Sequence, residues 1–168
     1  MDDDECFSSL MSSNKIFPII VRTALLAGLL DITGAIIHFL LRTKKNPVLI
    51  FEYIASSVLG TSAYQGSWWI IALGILFHFL IAFFFTLFFF LIYPRISFLS
   101  FNPVLTAILY GIFIWLVMNL LILPLTKVAK PPFNLVQALI GVGILIVAIG
   151  IPLSFIARRQ TSVVRRQS

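Results

Sequence analysis

The chain has 168 residues, 60% of them hydrophobic and only 11% charged, with a mean hydropathy of +1.07 and a formal net charge of +6. No soluble domain of this length has such a composition, and the apolar runs leave no stretch for a separate globular domain. A transmembrane barrel is excluded because its strands alternate apolar and polar residues over ~10 positions, and the single cysteine, Cys6, excludes an intrachain disulfide and a thiolate metal cluster.

Residues 1–15 are acidic and polar, with Asp2, Asp3, Asp4 and Glu5, and read as a disordered tail. They lack the basic start and short apolar core of a cleavable signal peptide. Cys6 follows no apolar run, which argues against a lipoprotein signal. The first apolar run, 16–41, therefore reads as a retained span. Pro18 sits in its first turn, where a missing N–H costs little. Arg22 is near enough to that end to snorkel, and Arg42, Lys44 and Lys45 close the other.

Asn46 and Pro47 are a helix cap and a first-turn proline, and Gly60 is a helix stop. The segment 47–59 between them is too short to span. It predicts a short helix lying at the interface or dipping into it, with Glu52 and Ser56 one turn apart. The second span, 68–93, opens with Trp68 and Trp69, which suit the headgroup boundary. A short connection leads to the third span, 103–125, which predicts antiparallel packing of the two. Pro124 lies at its end. The fourth span, 133–157, contains Pro152, which is expected to kink it by removing a hydrogen bond to the Ala148 carbonyl. The basic tail, 158–168, carries Arg158, Arg159, Arg165 and Arg166. These cations favour anionic lipid headgroups rather than nucleic acid, because they flank a span. The same cluster places both tails in the cytoplasm under the positive-inside rule.

The expected fold is thus an all-α membrane protein: a four-transmembrane-helix bundle with one short interfacial or re-entrant helix between spans one and two. Polar residues inside the spans then carry the functional information. A carboxylate at mid-membrane costs ~2.5–3.5 kcal/mol on the insertion scale. Asp31 lies ten residues before Leu41, about 15 Å from that end, and His78 lies ten residues after Trp68 on the antiparallel neighbour. Ala24, Gly28, Asp31, Ala35 and His38 recur at steps of three or four, so Asp31 and His38 share a stripe of small residues that lets helices approach. Asn119 and Gln137 lie toward the same side. Asp31, His38, His78, Asn119 and Gln137 are therefore expected to line a polar vestibule open on the side of the short helix, with the other half of the bundle nearly pure hydrocarbon. The competing reading makes each an interhelical hydrogen bond worth ~0.6–2 kcal/mol.

No catalytic signature is present: no phosphate loop, no dinucleotide fingerprint, no paired-histidine zinc motif. The sequence points to no cofactor and no metal. The reading leans away from an enzyme and toward a non-catalytic membrane protein acting through a membrane partner or as a homo-oligomer. The alternatives are a small transporter or channel component moving protons or a polar solute and, behind it, a membrane-embedded enzyme.

Several runs carry a family resemblance. They are Lys45-Asn46-Pro47-Val48, Phe51 to Ser56, Gly60, Leu76 to Ala82, Tyr110-Gly111-Ile112-Phe113, Val117-Met118-Asn119 and Leu123-Pro124-Leu125. Over residues 20–157 the chain resembles the YagU-like bacterial multi-pass inner-membrane proteins and their relatives. That resemblance implies a four-span bundle in a bacterial cytoplasmic membrane and supplies no reaction.

Overall fold

The structure is a computed structural model, and it describes residues 16–96, 102–127 and 133–167, with side chains as far as residue 160. The acidic tail, Lys130, Pro131, Pro132 and the side chains of Arg165 and Arg166 lie outside the described residues.

Among the described residues the chain is all-helical, with no strand, and four helices are long and apolar enough to cross a membrane. Helix α1 is Ile16–Thr43, and its 28 residues reach about 42 Å. Short helix α2 is Val48–Leu59, followed by a 3-10 segment, Gly60–Gln65. Helix α3 is Trp68–Ile92, extended by a 3-10 turn to Arg95. Helix α4 covers Pro103–Leu125, and helix α5 begins at Leu135 and runs through Gln167. Helix α5 continues to Gln167, beyond the expected limit at 157. The local causes are those of capping. Asn102 Oδ1 accepts from the Val104 and Leu105 amides ahead of Pro103, and Asn134 Oδ1 accepts from the Gln137 amide. Gly60 and Gly66 take positive φ at the two ends of the 3-10 segment.

The outward surfaces are leucine, isoleucine, valine and phenylalanine. On α1, for example, Leu25, Leu26, Leu29, Leu30 and Ile37 are exposed. Four threonine and serine hydroxyls within the spans bond locally. Thr23, Thr33, Thr86 and Ser154 each donate to a carbonyl three or four residues earlier in the same helix. They link no helices together.

Three seams bring backbones close: α1 with α3, α1 with α5, and α4 with α5. Small residues make this possible. Gly28 of α1 meets Phe79 and Ala82 of α3, and Gly34 of α1 meets Ile144 of α5. In the α4–α5 seam Gly111 lies against the Ile146 backbone and Gly150 against the Ala107 carbonyl, an antiparallel register advancing by one turn. Helices α3 and α4 behave differently. They are neighbours in sequence, and short connection implies close packing, yet they meet through rings. Phe88 stacks on Phe113 at 5.6 Å between centroids, and Phe89 meets Tyr110 edge-on at 4.7 Å. The Tyr110 hydroxyl donates to the Phe85 carbonyl. Bulky side chains facing one another hold these backbones apart.

Both later spans contain a π-type turn, Val117–Ile122 in α4 and Ile146–Gly150 in α5. Each ends two residues before a proline. The Leu123 amide bonds to the Met118 carbonyl ahead of Pro124, and the Ile151 amide to the Ile146 carbonyl ahead of Pro152. Proline has no amide proton to continue the ladder, and the preceding turn widens to five-residue bonding. The irregularity expected at Pro152 thus takes this form, and Pro124 produces the same one.

The main core fills the half of the bundle away from α2. It includes Ile20, Phe89, Phe90, Tyr93, Tyr110 and Leu153. A second, small core of Ala55, Ala63 and Ile70 fixes α2 and the 3-10 segment to α3. Helix α2 turns its polar pair inward: Glu52 and Ser56 are buried. The reason is local bonding and a close backbone. Ser56 Oγ donates to the Tyr53 carbonyl and lies 3.3 Å from the Tyr64 hydroxyl, while Gly74 of α3 admits the Phe51 backbone.

These seams make a mutational contrast. Gly150→Ala places a Cβ against the Ala107 backbone and is expected to cost about 1–3 kcal/mol. Gly143→Ala meets open space and is expected to stay within ~0.5 kcal/mol or to stabilise. Unfolding in mixed micelles measures both, and equal effects would contradict the seam.

Candidate functional site

Above the main core, on the α2 side, the spans diverge around two cavities that share Asp31, Tyr53 and Leu145. The inner cavity, about 280 Å³, is bordered by Asp31, His78, Tyr53, Ser57, Met118 and Thr126, with Ile81, Phe85, Ile114 and Ile122 among its apolar walls. The outer cavity, about 430 Å³, is bordered by Asp31, His38, Arg42, Tyr53, Trp115 and Asn119. Asp31 stands between the two and lines both.

Helical register on α1 places the acid. Ala24 and Gly28 are buried against neighbours, and the same stripe continued toward Thr43 carries Asp31, Ala35 and His38 to the cavity walls. Asp31 is half-buried and close enough to His78 to interact with it electrostatically.

His78 is fixed across the α1–α3 seam. Its Nε2 lies 2.8 Å from the Gly28 carbonyl oxygen. A carbonyl only accepts, so Nε2 carries the proton and donates. Gly28 matters because a side chain there would crowd Phe79, beside His78 in the sequence.

Asn119 rides on the π turn of α4. Its Nδ2 donates to the Trp115 carbonyl at 2.9 Å, a bond within its own helix. That bond ties Asn119 to its own helix and not to a neighbour, and the residue borders the outer cavity. Trp115 lies across Gly141, with Nε1 3.4 Å from where a Cβ would stand. Tyr53 comes from α2. Burial, reinforced by the neighbouring Tyr64 phenol, pushes its hydroxyl above the usual tyrosine range. It is a neutral hydroxyl at physiological pH.

Of the five expected vestibule residues, Asp31 and His78 meet at the inner cavity, and Asp31, His38 and Asn119 meet at the outer one. Gln137 lies outside both. It sits in the first turn of α5, and its buried Oε1 has no hydrogen-bond partner. Sequence reasoning missed Tyr53, Trp115 as a cavity wall, and Arg42 at the rim. Tyr53 follows Glu52 on α2, and only the inward rotation of that helix brings it to Asp31. Among the described residues no group of three metal-ligating side chains comes together.

Two substitutions separate fastening from function. His78→Leu removes the bond to Gly28 and is expected to cost about 0.6–2 kcal/mol. Asp31→Asn breaks no hydrogen bond and is expected to stay within ~0.5 kcal/mol. Denaturation in mixed micelles measures both, and an Asp31→Asn loss as large as that of His78→Leu would make the acid a structural group.

Comparison with protein-family models, with curated proteins and with solved structures returns no match.

Proposed function

We propose that this is a non-catalytic integral membrane protein whose polar vestibule, closed at one end, receives a ligand group at Asp31 and His78 from the side of the short helix. The observation that carries this reading is an asymmetry between the two halves of the bundle. One half holds two cavities with Asp31, His38, His78, Tyr53 and Asn119 on their walls. The other is filled by Phe89, Phe90, Tyr93, Tyr110 and Leu153, all nearly inaccessible. A static pore through one chain would need polar lining in both halves. An ionisable residue held inside a span is a functional group by default.

Placement in a bacterial cytoplasmic membrane with both termini inside, and kinship with the YagU-like proteins, belong to the same proposal. So does the role of α2 as a re-entrant element. What supports the last is depth: the Phe51 backbone sits on Gly74, six residues into α3, or about 9 Å. The Lys127 amide also donates to the Ser57 carbonyl, which joins α2 to the end of α4. Arg158 and Arg159 are exposed after the last span and are proposed to meet anionic headgroups. A membrane partner or a second copy of the chain completes this proposal.

A transporter reading is favoured by one observation. The π turns of α4 and α5 contribute Met118, Ile122, Asn119 and Ile149 to the cavity walls, and such turns are frequent at functional sites. Transport would require the aromatic floor to move.

Cysteine accessibility tests the vestibule. In a Cys6→Ser background, Asn119→Cys and Ala35→Cys are expected to react with a membrane-impermeant thiol reagent from one side only. Leu153→Cys is expected to stay unreactive from both. Unreactive Asn119→Cys and Ala35→Cys would remove the vestibule, and Leu153→Cys reacting would replace the closed vestibule with a through path.

A further inference from the structure

The seam that the phenylalanines hold open contains a third cavity, about 590 Å³. Its walls are wholly apolar and come from α3 and α4, with Phe84, Phe88, Val117 and Leu121 among them. Ile81, Phe85 and Ile122 line both this groove and the inner cavity. The groove and the Asp31 chamber therefore adjoin through these three residues, which form a common wall. In a bundle surrounded by lipid, this groove lies at the level of acyl chains.

We propose that the groove and the inner cavity form one binding site for a membrane amphiphile, entered sideways between α3 and α4, with the chain in the groove and the head at Asp31. The proposal rests on the vestibule reading and names its ligand class. The head follows from the chemistry of the wall. Asp31 borders the inner cavity and its carboxyl oxygens accept hydrogen bonds, whereas His78 Nε2 is already engaged with the Gly28 carbonyl. Those acceptor oxygens call for a donor. The head is therefore an amine or a hydroxyl without negative charge, since an anion would face the carboxylate. A phospholipid fits poorly for the same reason: its phosphate lies next to the chain and would meet Asp31 before the cation at Arg42. The 280 Å³ of the inner cavity has room for a small head of this kind.

The test uses photoreactive probes of one chain length, each with a diazirine along the chain and a terminal alkyne, bearing an amine, a hydroxyl or a carboxylate head. The full chain is labelled in phosphatidylcholine nanodiscs, and the adducts are mapped by mass spectrometry. The amine and hydroxyl probes are expected to mark Phe84, Phe88, Val117 or Leu121 in preference to the outer faces of α1 and α5. Their ratio tells whether charge or hydrogen bonding dominates. The carboxylate probe is expected to label the groove about tenfold less, and Asp31→Asn to lower the amine and hydroxyl labelling by a similar factor. Val117→Trp fills the groove without touching the inner cavity, and is expected to abolish labelling while Asn119→Cys stays reactive to the water-soluble thiol reagent. Uniform labelling around the bundle, or equal labelling by all three heads, would reduce the groove to an ordinary lipid contact and overturn the proposal. That outcome with Asn119→Cys still reactive sinks the lateral site alone, whereas an unreactive Asn119→Cys sinks the vestibule itself.

Discussion

The contact between α3 and α4 decides the shape of this molecule. Elsewhere in the bundle glycine and alanine allow helices to touch along their backbones, as at Gly28, Gly34, Gly111 and Gly150. Between α3 and α4 the facing residues are Phe85, Phe88, Phe89, Tyr110 and Phe113, and their rings set the separation. Dispersion between aromatic edges and faces is strong enough to make this a real contact, but it fixes the backbones too far apart to close the space above it. Where rings give way to Ile81, Met118 and Ile122, the gap continues as a cavity. Asp31 and His78 find room there without having to pack against each other.

The same contact explains the division of the bundle into two unlike halves. Tyr110 spans the gap toward the tails and bonds to the Phe85 carbonyl, which satisfies its buried hydroxyl. Around it the aromatic core is dense. Toward α2, stability comes from other sources: the small cluster of Ala55, Ala63 and Ile70, the Gly74 approach and the His78 bond. A helix pair can therefore be loose at one end and tight at the other, and the loose end is where the ionisable groups are.

Much of this was legible in the sequence for simple reasons. Long apolar runs fix spans, prolines and asparagines fix their starts, and counting residues from the ends fixes the depth of Asp31 and His78. Periodicity put Asp31 and His38 on the inner stripe of α1. Three things were not legible. The order of helices around the bundle depends on which faces carry rings and which carry glycine, and adjacency in sequence misleads about α3 and α4. The rotation of α2 depends on Gly74 in another helix, so the inward turn of Glu52 and Ser56 and the approach of Tyr53 were not readable. Gln137 sits at a helix start whose rotation is set by the Asn134 cap, and no periodic pattern in the sequence reports that. Pro152 did signal a disturbance in α5, and the form it took depends on how a helix absorbs a missing amide proton.

Those two prolines have a geometric consequence. A π turn holds one residue more than the α turn it replaces, and one α-helical residue corresponds to about 100° of rotation. Every side chain beyond Leu123, and every one beyond Ile151, is therefore displaced in azimuth from where an uninterrupted helix would aim it. The last turn of α4 and the arginine-bearing end of α5 owe their headings to that surplus residue. Shortening either wide turn by one position would leave the apolar composition intact and swing the downstream end to a different compass bearing.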